Sequence, residues 1–78
     1  MQLDIAIRHR IKNLLKENKM KPYNLSIGAG VHPSTLNYFL EGKTDIPNLS
    51  TLLHYCEALD IELWEFFKDP VFKDVKHE

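Results

Sequence analysis

The sequence has one cysteine and three glycines, and no apolar run exceeds three residues. The single thiol, Cys56, excludes an internal disulfide and any cysteine-rich zinc site, and it fits a reducing compartment such as the cytosol. With so few glycines there is no Gly-rich phosphate loop, and neither a G-x-S-x-G elbow nor a pair of carboxylates at catalytic spacing occurs. The short apolar runs exclude a membrane-spanning helix. The N-terminus, MQLDIAIRHRIK, lacks the apolar stretch of about 7–15 residues that a secretory signal needs. Four histidines, His9, His32, His54 and His77, form no i, i+4 pair and have no carboxylate at ligand spacing, so neither a metal nor a cofactor is expected.

What is present is ordinary globular composition, 44% hydrophobic and 27% charged over 78 residues. This is one domain, burying about 60–65% of its unfolded surface, with little room for a deep substrate pocket. A binding module is therefore expected rather than an enzyme. The net charge of −1 hides a polarised chain. Residues 1–43 carry seven Lys and Arg against three Asp and Glu, whereas residues 44–78 carry three against eight. Such a split can turn one face toward a polyanion.

The periodicity is helical throughout. Ile7, Ile11, Leu14 and Leu15 make one stripe of a first helix over Asp4 to Asn18, with Asp4 as N-cap. Arg8, Lys12 and Lys16 form a basic stripe beside it. A short second helix runs from Pro22, a proline suited to a first turn, to Gly28, with Leu25 in the core. Small Ser26 and Gly28 permit close helix approach. Residues 28–31 read as a turn in which Gly30 takes the left-handed conformation.

A third helix, residues 33–41, starts at Pro33. His32 stands at the capping position but is not a favoured cap, so Ser34 or Thr35 is expected to help the free N–H groups. Leu36, Phe39 and Leu40 are its apolar face, and Gly42 stops it. A fourth helix follows Asn48, a good N-cap, with Leu49, Leu52, Leu53, Cys56 and Leu59 as its buried face and Asp60 in the turn. A fifth spans Glu62 to Lys68 and is closed by Pro70. The domain is placed at residues 1–68, with 69–78 a partly ordered C-terminal tail.

Two short helices joined by a tight glycine turn, apolar where they face each other, are the signature of a helix-turn-helix. The supporting blocks are Ile11 and Leu14, Leu25-Ser26, Gly30-Val31, Ser34-Thr35-Leu36, Gly42-Lys43, Pro47, Leu49 to Leu53 and Ala58 to Ile61. In this order and spacing the chain resembles the Cro/CI-type (XRE) helix-turn-helix family of phage and bacterial repressors, over about residues 5–67. The departures are Ser26 where the family usually has Ala, Asp60 for Gly, and Lys21 for a Ser or Asn cap. Pro22 stands where a phosphate-binding Gln is common. Leu15 and Leu40 replace an Arg–Glu pair that some members carry, a swap that need not lower stability.

The resemblance implies an all-α, five-helix lambda-repressor-like domain that makes up the whole protein and binds double-stranded DNA in the cytoplasm of a bacterium, or encoded by a phage. It implies a transcriptional regulator, a repressor, reading the major groove with helix 33–41. The family's first, second and sixth recognition-helix positions are here Pro33, Ser34 and Tyr38. Asn37 has the chemistry for a bidentate adenine contact, whereas Pro33 can only pack, for example on a thymine methyl. Phosphate contacts fall to Lys21, Thr35, Lys43 and Thr44, with Lys12, Lys16, Lys19 or Arg10 nearby. About six contacts per dimer give a log–log salt slope of about −5.

The fifth helix and tail hold more large apolar groups than one short terminal helix buries alone. Either Leu63, Phe66 or Phe67 closes the core, or Trp64 and Phe67, with Phe72, form a homodimer contact. The rival functional reading is a protein-interaction or antitoxin-like module on the same fold with weak DNA binding, favoured by Pro22, Pro33 and the net charge.

Overall fold

A computed structural model describes residues 1–76. The order is α1 (Leu3–Glu17), α2 (Pro22–Ala29), α3 (Pro33–Leu40), α4 (Leu49–Ala58) and α5 (Leu63–Phe67), followed by a 3-10 turn at Pro70–Phe72. No strand occurs among the described residues, and none of their helices is long and apolar enough to cross a membrane. His77 lies outside the described residues.

The helix boundaries follow local chemistry. Pro22 and Pro33 each occupy a first turn, where a missing N–H leaves nothing unpaired. Gly30 (φ 71°) and Gly42 (φ 79°) take the left-handed conformation just past α2 and α3. Asn48 caps α4, its Oδ1 accepting from the Thr51 N–H at 2.8 Å. Asp60 is left-handed as well, at φ 58°. Lys19 (φ 52°) ends α1, where the Met20 N–H returns to the Leu15 carbonyl at 2.9 Å.

Three expectations are corrected. Asp4 is not the N-cap of α1: the helix begins one residue earlier, and Gln2 holds the capping position. Asp4 lies inside the first turn, where its charge favours the helix dipole and pairs with Arg8 at 3.7 Å. Gly28 is helical, so α2 runs to Ala29 and the turn is shorter than residues 28–31.

The third correction is the register of α4. Its buried face is Leu52, Tyr55, Cys56 and Leu59, whereas Leu49 (68% exposed) and Leu53 (43%) face outward. The two Leu stripes differ by about 100° on the helix, and only the one meeting α2 and α5 is covered.

The core gathers Ile7, Ile11, Leu14, Leu15, Leu25, Leu36, Phe39, Leu52, Tyr55, Cys56, Leu59 and Phe66. Leu15 is buried, and Leu40 packs against the same cluster, an apolar pair joining α1 to α3. α2 packs on both α3 and α4, α1 packs on α3 and the terminal 3-10 turn, and α5 packs on α4. A Cβ on Gly28 would meet the Ala58 Cβ at 3.4 Å, ordinary contact, so α2 and α4 approach as closely as two alanines would allow. Phe66 is fully buried and closes the core.

Arg10 fastens the end of the chain to α1. Its Nε donates to the Phe66 carbonyl at 2.8 Å and Nη2 to the Glu65 carbonyl at 2.9 Å, while Nη1 reaches Asp69 Oδ2 at 3.2 Å. Phe72 packs its ring 5.9 Å from Phe66 and 5.1 Å from Phe67, so part of the tail covers the domain. The two ends of the chain also meet: the Met1 ammonium donates to the Asp74 carbonyl, and the Lys76 N–H to the Met1 carbonyl, both at 3.1 Å.

Candidate nucleic-acid interface

The turn between α2 and α3 is built from backbone bonds. The Gly30 N–H donates to the Ile27 carbonyl (3.2 Å) and the Val31 N–H to the Ser26 carbonyl (3.0 Å). Val31 tucks against the core, which fixes the crossing of the two helices. His32 then caps α3 itself: its Nδ1 accepts from the Ser34 N–H at 3.2 Å and lies 2.8 Å from Ser34 Oγ. Ser34 and Thr35 were expected to relieve an ineffective cap, but the imidazole lone pair fulfils that role.

Leu36 and Phe39 point into the core, so Ser34, Asn37 and Tyr38, spaced i, i+3, i+4, share the opposite face. Asn37 and Tyr38 are exposed, while Pro33 and Ser34 are half-buried at the helix start. Thr35 is exposed on the flank. The far end of α3 turns back on Gly42, and the Lys43 N–H donates to the Tyr38 carbonyl at 2.8 Å. That return places Lys43 Nζ 5.6 Å from the Tyr38 ring centroid and 3.5 Å from Glu41 Oε1. Glu41 thus has its own counter-ion. Asp45 lies in a shallow depression lined also by Gln2, Leu3, Asp4 and Ile46.

Lys21 is exposed at the start of α2, where its N–H donates to Asn24 Oδ1 at 3.3 Å. Thr44 and the α1 lysines Lys12 and Lys16 are exposed, as is Lys19. Arg10 leaves this set, because its guanidinium is engaged by α5 and Asp69. Arg8 likewise serves α3, donating from Nε to the Phe39 carbonyl at 2.7 Å. Tyr23, 61% exposed in the first turn of α2, was not anticipated. It stands two residues past Lys21 at the start of α2, and only the exposed first-turn position would have marked it in the sequence.

Among the described residues no group of three or more His, Cys, Asp or Glu could hold a metal ion. The one thiol, Cys56, is buried in the core. Burial pushes its pKa up; nearby Arg10 opposes the rise and Glu57 adds to it. A raised pKa lowers the thiolate fraction, the reverse of what a nucleophile needs. A short polar helix face with Lys43 folded back at its far end can, by contrast, enter a groove about 12 Å wide and meet a phosphate at its edge.

The Cro/C1-type helix-turn-helix DNA-binding domain matches this chain over residues 10–70. The chain belongs to that family. This Cro/C1-type domain therefore binds DNA and acts in transcription regulation, and the family is one of DNA-binding rather than catalytic domains. Its fold is similar to that of the crystal structure of the prophage Lp1 protein 11, with a TM-score of 0.81 and 24% identity. The likeness covers 96% of this chain and 100% of that one. No curated protein sequence matches the chain.

Proposed function

We propose that this Cro/C1-type domain is a sequence-specific repressor, bacterial or phage-encoded and working in the cytoplasm, that reads the major groove with α3. The observation carrying the proposal is the outward face of α3, where Ser34, Asn37 and Tyr38 stand opposite the buried Leu36 and Phe39, with Lys43 folded back beside Tyr38. In this reading Ser34, Asn37 and Tyr38 contact base edges and Pro33 packs on a thymine methyl. Lys21, Thr35, Lys43, Thr44 and Tyr23 hold phosphates. Two copies pair through Trp64 and Phe67, edged by Phe72, and set their recognition helices about 34 Å apart for successive major grooves. Pairing doubles the few contacts that one short helix can make.

A protein-interaction role on the same fold is the second reading. Pro22 and Pro33 remove two N–H donors from the DNA-facing helix starts, and Tyr23 and Ile27 leave an apolar strip exposed on α2. The discriminating experiment is selection of bound duplexes from a random library at about 50–100 mM salt, where phosphate contacts still hold weak readers. The expected result is an inverted repeat. Folded protein that enriches nothing would overturn the DNA-reading proposal. Lys43→Glu and Ser34→Glu should abolish duplex binding under the first reading and leave partner binding intact under the second.

A further inference from the structure

The contact between His32 and Ser34 fixes the hydrogen-bond sense of a proposed base-reading group. A backbone N–H can only donate. The Ser34 N–H is directed at His32 Nδ1, 3.2 Å away, so Nδ1 carries the lone pair and the ring proton sits on Nε2. Ser34 Oγ lies 2.8 Å from the same Nδ1. With no proton on that nitrogen, a hydrogen bond at this distance requires the hydroxyl to donate. Its proton is thereby turned toward the histidine, and only oxygen lone pairs remain to face a ligand.

The rest of the first turn has the same character. Pro33 has no N–H, and the Thr35 N–H donates to the His32 carbonyl at 3.0 Å. The three backbone positions at the start of α3 thus offer no free donor.

We infer that His32 is a specificity-determining positioning residue: by accepting the Ser34 hydroxyl proton, it makes Ser34 an acceptor-only reader that selects an exocyclic amino group. In the major groove those donors are adenine N6 and cytosine N4; guanine O6 and N7 and thymine O4 are acceptors. The inference rests on the proposed groove reading and adds the identity of the group Ser34 recognises. His32 Nε2–H is left exposed as a donor suited to a phosphate oxygen, a contact that strengthens binding without choosing a base.

The test uses the full chain and the selected duplex, with wild type, His32→Ala, His32→Asn, Ser34→Ala and the double variant His32→Ala/Ser34→Ala. Circular dichroism confirms that each is folded. Single bases are replaced by purine or pyrimidin-2-one, which lack the exocyclic amino group, or by 7-deazapurines, which lack the N7 acceptor. At the position whose preference Ser34→Ala erases, removal of the amino group should weaken wild-type binding about 3–10-fold, the effect of one ordinary hydrogen bond, while removal of N7 should have no effect. His32→Ala frees the hydroxyl proton and should reduce the amino-group penalty and create sensitivity to N7. His32→Asn keeps an acceptor at the cap and should restore the wild-type pattern, with at most a uniform loss from the missing Nε2–H.

Unchanged selectivity in His32→Ala, or wild-type sensitivity to N7 instead of the amino group, overturns the inference and leaves the groove reading intact. A change of selectivity that persists in the Ser34→Ala background overturns it too, because His32 would then act elsewhere. If no duplex is enriched, or no position depends on Ser34, the groove reading at Ser34 fails and the inference with it.

Discussion

Arg8 reaches from α1 to the end of α3, donating from Nε to the Phe39 carbonyl at 2.7 Å with its guanidinium 4.8 Å over the Phe39 ring. The last carbonyls of a helix lack intrahelical partners, and a cation there also meets the negative end of the dipole. Arg8→Ala removes a charge-assisted hydrogen bond and a partly buried cation–π contact together. The expected loss is about 2–3 kcal/mol in urea unfolding. Arg8→Lys should recover less than half, since one ammonium cannot both donate in the guanidinium plane and lie flat on the ring. A loss below about 0.5 kcal/mol would show that α3 is held by its apolar face alone.

Ser26 is fully buried in α2, and its Oγ has no hydrogen-bond partner among the described residues. An unpaired buried hydroxyl is costly. Ser26→Ala removes the polar atom while keeping the Cβ and the close packing. It should stabilise the domain by about 1–2 kcal/mol, read as a higher urea midpoint at unchanged slope. An unchanged or lower midpoint would mean that the hydroxyl finds a partner in solution.

The features legible in the sequence were those with local causes. Pro22, Pro33, Gly30, Gly42, Asn48 and Asp60 all sit where backbone chemistry alone places them. The outward trio of Ser34, Asn37 and Tyr38 was legible for a similar reason, since Leu36 and Phe39 fix the inner face. The register of α4 was not, because leucines fall on two stripes and Tyr55 looks amphipathic; choosing between them requires knowing where α2 and α5 lie. The same holds for Arg10, which lies in the basic half of the sequence yet turns inward to carbonyls 55 and 56 residues away. The His32 cap depends on a ring rotamer, for which composition and spacing give no signal.

Asp60 holds φ 58° just after α4. A left-handed non-glycine residue costs roughly 1 kcal/mol, and its carboxylate also stands at the negative end of the helix dipole. Asp60→Gly relieves both, against the greater freedom of glycine in the unfolded chain. The net expectation is a gain of about 0.5–1 kcal/mol. Asp60→Asn, which removes only the charge, should gain less in the same unfolding experiment.

Burial raises the pKa of both Cys56 and Tyr55. In each case the neutral form is favoured in the folded state. Below the ordinary thiol value of 9.0 both states keep the Cys56 proton, and stability is unaffected by this group. Above it the unfolded chain ionises first, so stability falls as pH rises, and Tyr55 adds to the fall above 10.0. Urea midpoints measured from pH 7 to 10.5 should be flat and then decline. Cys56→Ser would leave a decline governed by Tyr55 that begins about one pH unit later. In native protein at pH 8, a thiol reagent should modify Cys56 only at the rate of opening.

Trp64 is 62% exposed on α5, with Lys68 Nζ 5.2 Å from its ring, whereas neighbouring Phe66 is fully buried. The two positions separate folding from pairing. Phe66→Ala should cost about 3–5 kcal/mol of stability through the cavity it leaves. Trp64→Ala removes little buried surface and should change stability by less than about 1 kcal/mol. If Trp64 and the 37% exposed Phe67 form the proposed homodimer contact, Trp64→Ala removes an interfacial anchor. Sedimentation equilibrium should then show dimerisation weakened at least about 30-fold, the equivalent of about 2 kcal/mol. Binding to an inverted repeat should lose its cooperativity while a single half-site is bound as before. A Trp64→Ala protein that dimerises like wild type would move the interface off α5, leaving exposed Leu49 and Leu53 of α4 as the next surface to substitute.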